Sequence, residues 1–220
     1  MVAIIPARGG SKSIPLKNIK KLNKIPLISY TIKNCIKSKI FDHIIVSTDS
    51  KKIFNVAKKY KNIIVFNRSR SISKDTSRLE DTISDVLSKI NLIKKYQPDW
   101  IFILQPTSPF RSESTLFKAK NIIKKNKNIN SLISILELNS NPGKLKNRRL
   151  VYFEKRSYRR QDHQPFFMES STLYCVKYKY FKKTKKLVEK KPFGFKVPKI
   201  ECVDINDLED FKIAEALVKN

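Results

Sequence analysis

The sequence predicts an α/β fold of three layers, in which helices cover both faces of a mostly parallel sheet. Two observations carry this prediction. Short apolar runs of strand length alternate with segments of helical period along the chain, and 220 residues with 40% hydrophobic content suffice for one packed domain. Because successive parallel strands need a crossover connection, this strand-helix order favours a parallel sheet.

The predicted elements alternate regularly as far as residue 138. Each predicted strand is a short run rich in branched apolar residues, which is typical of strands buried on both faces. Each predicted helix repeats apolar residues at three- and four-residue intervals. The predicted strands are Val2–Ile5, His43–Ser47, Asn62–Phe66, Asp99–Leu104, Leu132–Leu136 and Thr172–Val176. The predicted helices are Pro26–Ile36, Lys51–Tyr60, Leu79–Tyr96, Ser114–Lys125 and Asp207–Val218.

The texture of the sequence changes after Leu138. Residues 139–160 are polar, basic and irregular in pattern, and Pro142-Gly143 is a turn signal. We therefore divide the chain into an α/β domain, residues 1–138 and 171–220, and an extension, residues 139–170. The extension is either a surface excursion or an interface. Its aromatic residues favour an interface; they are Tyr152, Phe153, Tyr158, Phe166 and Phe167.

A basic loop with two glycines follows the first predicted strand. Gly9 and Gly10 are adjacent in a chain that has only four glycines, and adjacent glycines let a backbone turn tightly and present its N–H groups to an anion. Arg8, Lys12 and Lys17 bring cations to the same loop. The loop has neither the Walker A spacing nor a G-x-G-x-x-G pattern. We interpret it as a phosphate-binding loop; a solvated polar loop is the alternative.

Polar segments also follow other predicted strands, at residues 47–50 and 105–111. Parallel strands present their carboxyl ends at one edge of the sheet, and open α/β sheets bind ligands along that edge. The sequence therefore predicts that these segments and the basic loop meet in one site.

The chain is strongly basic, with 47 Lys and Arg against 19 Asp and Glu and a formal net charge of +28. The lysines are spread over nearly every predicted element, and no nucleic-acid-binding motif is present. Nucleic acid is therefore not the expected partner, whereas the positive field would attract a small anionic substrate.

The chain shows no apolar run long enough to span a membrane and no signal sequence, so we expect a cytoplasmic protein with no membrane partner. The cysteines Cys35, Cys175 and Cys202 lack metal-ligand spacing. We interpret them as buried free thiols, with Cys175 and Cys202 in strand-like segments.

The stretch Ile4–Asn18 resembles the N-terminal signature of the acylneuraminate cytidylyltransferases, which activate sialic acid and its bacterial relatives. Three later stretches are similar to further family motifs and occur in family order; they are Leu104–Arg111, Arg159–Asp162, and Val203–Asn206 with Leu208–Phe211. The resemblance implies a three-layer nucleotide-binding fold with a dimerisation extension. It also implies transfer of CMP from CTP to the anomeric hydroxyl of a nonulosonic acid of sialic, legionaminic or pseudaminic type, with release of pyrophosphate.

The resemblance assigns the nucleotide to the first loop and to a segment near Arg68. It implies that Arg8, Lys12 and Lys17 hold the triphosphate and stabilise charge on the leaving pyrophosphate. For Asn18, donation to a phosphate and a role as turn or helix cap are equally compatible with the sequence. The implied nucleotide-binding residues are Ala7, Gly9, Gly10, Ser11, Asn18, Arg68, Asp75 and Ser77.

The resemblance assigns the sugar acid to the second loop and to residues near the extension. Arg160 would pair with the sugar carboxylate; an exposed surface arginine is the alternative. The implied substrate-binding residues are Gln105, Thr107, Ser108, Arg111, Arg160, Gln161 and Tyr174.

The resemblance makes Asp204 the principal ligand of Mg²⁺, which prefers hard oxygen donors. Asn206 stands where many members have a second aspartate, and on a strand-like segment the two side chains would share a face. A second departure lies at Met168–Ser171, where the family typically has Asn-Gly.

Two alternatives to this function remain open at this point. One is a cytidylyltransferase for the eight-carbon acid Kdo, against which the Leu104–Arg111 motif argues. The other is a non-catalytic basic binding protein on the same fold, against which the intact Arg8, Lys12 and Lys17 argue.

Overall fold

The structure is a computed structural model that describes residues 1–11, 13–73, 76–154, 159 and 165–219. The strands in chain order are β1 (Val2–Pro6), β2 (Lys21–Leu22), β3 (Ile25–Pro26), β4 (His43–Thr48), β5 (Ile64–Asn67), β6 (Trp100–Ile103), β7 (Ser131–Leu138), β8 (Gly143–Lys146), β9 (Arg149–Tyr152), β10 (Phe166–Lys177) and β11 (Phe193–Lys196). The α-helices are α1 (Leu27–Ser38), α2 (Lys51–Ala57), α3 (Leu79–Lys94), α4 (Glu113–Lys125), α5 (Tyr178–Thr184) and α6 (Leu208–Lys219).

A seven-stranded sheet runs through the described part of the chain in the order β11-β7-β10-β6-β1-β4-β5. The pairs β1–β4, β1–β6, β4–β5 and β7–β11 are parallel, whereas β10 is antiparallel to both of its neighbours. The predicted α/β class and mostly parallel sheet are confirmed.

Helices cover both faces of this sheet because the strand side chains alternate between the faces. On one face Ala3 and Ile5 of β1 pack in a cluster with residues of α1, α2 and α4. On the other face Val2 and Ile4 pack with residues of α3 and α5. All four β1 side chains are fully buried, so β1 lies at the centre of the three-layer arrangement.

Local sequence sets where several helices begin and end. Ser50 and Ser112 cap α2 and α4, since their side-chain oxygens accept from the backbone N–H groups three residues on. Left-handed residues follow α1 and α3, at Lys39 (φ 51°) and Lys95 (φ 49°). Helix α2 ends at Ala57, earlier than predicted, and continues as a turn.

The extension contains more regular structure than its sequence predicts. Strands β8 and β9 form an antiparallel hairpin in the segment that we expected to be irregular. Its turn uses Asn147 and Arg148, both with positive φ, instead of glycine. Gly143 lies inside β8, where a Cβ would come within 2.5 Å of the Val151 carbonyl oxygen. Glycine is therefore needed there for close strand approach.

Strand β10 connects the extension with the central sheet. It begins at Phe166 instead of the predicted Thr172. Its first part pairs with β7 alone, and its last part, from Tyr174, pairs with both β6 and β7. Because β10 runs antiparallel to β6, its first part projects beyond the carboxyl ends of the central parallel strands.

The region before α6 also differs from prediction. Cys202 lies at the end of a 3₁₀-helix, Lys199–Cys202, instead of in a strand, and it is partly exposed. Cys35 and Cys175 are buried free thiols as expected. Among the described helices, none has the length and apolar character needed to cross a membrane.

Candidate active site

A cleft of about 310 Å³ opens at the carboxyl ends of β1, β5 and β6, the edge where the sequence predicts a site. The segment 204–206, which precedes α6, closes one side of it. The cleft brings together many of the residues predicted from sequence; those that line it are Arg8, Ser11, Lys17, Asn18, Arg68, Ser77, Gln105, Thr107, Asp204 and Asn206.

The first loop is held by backbone contacts at both of its ends. Ala7 is buried, and its N–H donates to the Ser47 carbonyl at 2.9 Å. The Asn18 side chain is 7% exposed and donates through Nδ2 to the Arg8 carbonyl at 2.9 Å. Leu16 adopts a left-handed conformation (φ 51°). Ala7 and Asn18 thus fix the backbone that carries Arg8.

The two glycines have different surroundings, and neither has a positive φ. A Cβ on Gly9 would lie 2.8 Å from the Ser50 Cβ, whereas a Cβ on Gly10 would meet no atom within 4 Å. The Gly9 N–H donates to Asp49 Oδ1 at 2.8 Å. The chain bends at Gly9 without a left-handed conformation; Gly9 is needed for close packing, and a carboxylate accepts from its N–H.

The predicted meeting of segment 47–50 with the basic loop is confirmed, but sequence reasoning did not single out Asp49 within that segment. The available signal was its position directly after β4, at the same edge of the sheet as the basic loop.

Lys17 lies in the cleft within electrostatic range of both a cation, Arg8, and an anion, Asp204. Its Nζ donates to the Ile205 carbonyl at 2.7 Å. Burial lowers the pKa of Lys17, the Asp204 carboxylate raises it, and Arg8 lowers it again. An anion bound at this position would relieve the repulsion between Lys17 and Arg8.

Arg68 is a buried cation beside the cleft, 8% exposed. Its Nη2 donates to the Ser47 carbonyl at 2.9 Å, and its buried Nε has no hydrogen-bond partner in the described part of the chain. Burial lowers the pKa of Arg68, the carboxylates of Asp49 and Asp85 raise it, and Arg8 lowers it. Arg8, Lys17 and Arg68 together make this cleft suited to a polyanion.

The second loop contributes some of its predicted residues to the cleft and buries the others. Gln105 and Thr107 line the cleft. Ser108 is fully buried, with its Oγ 3.1 Å from Ser171 Oγ. The prediction that Arg111 forms a wall of the sugar pocket is wrong in this structure, since its side chain is only 1% exposed and bonds to protein groups beneath the loop.

Asp204 offers an oxygen with no protein partner. Its Oδ2 accepts from Asn206 Nδ2 at 3.2 Å, so the two side chains meet although their segment is not a strand. Its buried Oδ1 has no hydrogen-bond partner within the described residues. No group of three or more His, Cys, Asp or Glu in the described ranges could hold a metal by itself. This donor set fits an ion that takes its remaining ligands from a bound substrate.

Tyr174 lies on β10, outside the residues that line the cleft. Its hydroxyl donates to Glu169 Oε1 at 2.8 Å, and burial, followed by the bond to Glu169, raises its pKa. Lys12, Asp75, Arg160 and Gln161 lie outside the described residues, so their predicted roles stay predictions.

Comparisons with known proteins identify the family of this chain. The family described as Cytidylyltransferase matches residues 2–217. Pseudaminic acid cytidylyltransferase of Campylobacter jejuni (strain 81-176) is 29% identical over 228 residues, 99% of this chain and 96% of that protein. CMP-N,N'-diacetyllegionaminic acid synthase of Legionella pneumophila is 41% identical over 124 residues, 56% of this chain and 53% of that protein.

A solved structure supports the fold independently. CMP:2-keto-3-deoxy-manno-octonic acid synthetase in complex with CTP superposes with a TM-score of 0.71 at 13% identity, over 99% of this chain and 98% of that one. With the family matched over nearly its full length, the chain belongs to the cytidylyltransferases, enzymes that use CTP.

Proposed function

We propose that the protein transfers CMP from CTP to the anomeric hydroxyl of a nonulosonic acid and releases pyrophosphate. The observation that carries this proposal is one cleft lined by Arg8, Lys17, Arg68 and Asp204, whose Oδ1 has no hydrogen-bond partner within the described residues. The names of the relatives, which act on pseudaminic and legionaminic acids, support the acceptor class. Sialic, legionaminic and pseudaminic acids are the candidate acceptors.

The reaction forms a bond between the anomeric oxygen and the α-phosphorus of CTP, breaks the bond to the β-phosphate oxygen, and releases the hydroxyl proton. Negative charge accumulates on the leaving pyrophosphate. Catalysis of such a transfer depends on positioning and charge stabilisation more than on covalent help. Arg8 and Lys17, which line the cleft, are proposed to supply the positive charge together with Lys12, and Gln105 and Thr107 line the same cleft, where they would orient the acceptor.

We propose Mg²⁺ as the cofactor, with Asp204 as its carboxylate ligand. When bound, Mg²⁺ supplies neutralisation of the triphosphate charge. Asp204 Oδ1 is the donor available for it. Asn206 now turns its Nδ2 toward Asp204, so its amide must rotate to offer an oxygen. A neutral amide attracts a cation less strongly than a carboxylate does, so we expect a Mg²⁺ requirement at comparatively high concentration.

We further propose a homodimer that forms through the extension. Exposed apolar side chains lie on β8, on β9 and the residue after it, and at the start of β10, where a second copy would cover them. They are Leu145, Leu150, Val151, Tyr152, Phe153, Phe167 and Met168. Arg160, Gln161 and Tyr174 are proposed to contact the sugar acid beside this region. A cytoplasmic location without membrane or nucleic-acid partners remains a prediction.

The test is pyrophosphate release from CTP and Mg²⁺ with a panel of sugar acids. We expect release with at least one of sialic, legionaminic and pseudaminic acid, and none without an acid. Replacing Lys12 with Ala should remove most turnover. Release of pyrophosphate with Kdo alone would show that the protein is a Kdo cytidylyltransferase instead. No release with any acid from folded protein would favour a binding protein.

A further inference from the structure

The Arg111 guanidinium is enclosed by protein and joins three parts of the fold. Its Nε donates to the Thr172 carbonyl of β10. Its Nη1 lies 3.4 Å from Thr31 Oγ1 on α1, and its Nη2 donates to the Gln105 carbonyl at 3.1 Å. A planar guanidinium presents its donors in fixed directions, which a lysine ammonium cannot reproduce. The side chain therefore ties the second loop to β10 and to α1.

The positive charge of Arg111 is compensated inside the protein. Burial lowers its pKa to about 10, so it stays protonated at neutral pH, and the nearby Glu201 carboxylate raises that pKa. Glu201 is itself buried, 4% exposed. Its Oε1 accepts from Ser112 Oγ at 2.7 Å and from Thr115 Oγ1 at 3.0 Å. A buried cation and a buried anion thus lie beneath the same loop.

The second loop is in turn linked to the rest of the cleft. The Ile205 N–H donates to the Thr107 carbonyl at 2.9 Å, and the Ile205 carbonyl accepts from Lys17 Nζ at 2.7 Å. Ile205 stands between Asp204 and Asn206. Residues 105–107 thus contact the segment that carries Asp204 at Ile205, whereas the Asp204 side chain accepts from Asn206.

We propose that Arg111 is a positioning residue for the transfer reaction: it never touches substrate, but it fixes Gln105 and Thr107 where the acceptor sugar acid binds. This inference rests on the proposed function. Arg8, Arg68 and the first loop are anchored separately, through Ser47 and Asn18. Loss of the Arg111 contacts should consequently impair use of the acid far more than binding of CTP.

The experiment measures, in the same variant, kcat/KM for the sugar acid and the Kd for CTP. For Arg111→Lys we expect kcat/KM for the sugar acid to fall by about 100-fold, as a misplacement of about 1 Å can cause. The Kd for CTP, measured by calorimetry without acid, should stay within about threefold of wild type, an effect of under about 1 kcal/mol. Thr31→Val is the matched control, because it removes one Arg111 contact on α1 and leaves the contact with Gln105. Its kcat/KM for the acid should stay within about twofold.

If Arg111→Lys does not fold, as judged by circular dichroism, Glu201→Gln replaces it. That variant removes the compensating charge and should lower kcat/KM for the acid by about fivefold with an unchanged Kd for CTP. Unchanged use of the acid by a folded variant would overturn the inference, and so would a proportional loss of CTP affinity. Wild-type protein that releases no pyrophosphate with any acid would instead refute the proposed function.

Discussion

The two loops at the carboxyl edge of the sheet both carry arginine, yet they use it differently. Arg8, on the first loop, lines the cleft beside Lys17. Arg111, at the end of the second loop, is 1% exposed and bonds to protein oxygens. The two side chains differ in burial, since two carbonyls and a hydroxyl enclose Arg111 whereas Arg8 is only partly buried. Arg8 lines the cleft where a ligand would bind, and Arg111 holds the second loop in place.

The largest expected effect comes from removing a positive charge that lines the cleft. Replacing Lys17 with Met keeps most of the side-chain volume but removes the charge between Arg8 and Asp204. Because that charge faces the proposed pyrophosphate position, kcat/KM for CTP should fall by about 100- to 1,000-fold. Steady-state pyrophosphate release measures it. Lys21→Met, at an exposed position on β2, is the matched control and should retain wild-type turnover; a loss equal to that of Lys17→Met would contradict the assigned role.

The next effect concerns stability and separates the two arginines directly. Arg111→Met leaves the buried Glu201 carboxylate without its compensating cation, so the free energy of unfolding should fall by about 3 kcal/mol. Arg8 is only partly buried, and Arg8→Met also relieves its repulsion with Lys17 and Arg68, so stability should change by less than about 0.5 kcal/mol. Urea denaturation of both variants checks the difference. Equal destabilisation would show that Arg8 also holds the fold together.

A smaller effect tests the metal proposal. Asn206→Asp adds a carboxylate beside Asp204 Oδ2, so the Mg²⁺ concentration for half-maximal activity should fall by about tenfold. A Mg²⁺ titration at saturating CTP measures this shift. Asn121→Asp adds the same charge at an exposed position on α4 and should leave the titration unchanged. An unchanged titration for Asn206→Asp would mean that this side chain is not a ligand.

The smallest expected effect tests whether the close approach of Gly9 to Ser50 positions the first loop. Gly9→Ala places a Cβ 2.8 Å from the Ser50 Cβ, so the loop must shift, and the KM for CTP should rise by about fivefold. Gly10→Ala, whose Cβ meets open space, should raise it less. The double variant Gly9→Ala with Ser50→Gly restores the space and, since glycine is tolerated as an N-cap, should recover the wild-type KM. Failure of that recovery would indicate that the clash is not the cause.

Sequence reasoning predicted the parts of the structure that depend on local pattern. The apolar runs predicted the central strands, because a strand that is buried on both faces has a continuous apolar sequence, as in β1. The same reasoning brought Arg8, Lys17 and Gln105 to one cleft, since parallel strands present their carboxyl ends together, whereas only the family resemblance assigned Asp204 to the site.

The parts that failed depend on partners distant in sequence. Whether an arginine is buried depends on acceptors such as the Thr172 carbonyl and Thr31 Oγ1, which no local pattern around Arg111 reveals. The early start of β10 depends likewise on pairing with β7. The hydrogen bond from the Gly9 N–H to Asp49 was not predicted. Polar residues commonly follow strands, and the donor lies in another loop.

Strand β10 has a practical consequence for anyone who wishes to redesign this enzyme. It is one strand from Phe166 to Lys177, with a register shift against β7 between Glu169 and Tyr174, so the residues that follow the extension and those between β6 and β7 belong to the same strand. Deleting the extension up to residue 170 would remove the first part of β10 and with it that part's hydrogen bonds to β7. Chimeras that exchange acceptor preference should therefore be joined in the connections before and after β10, so that the whole strand comes from a single parent.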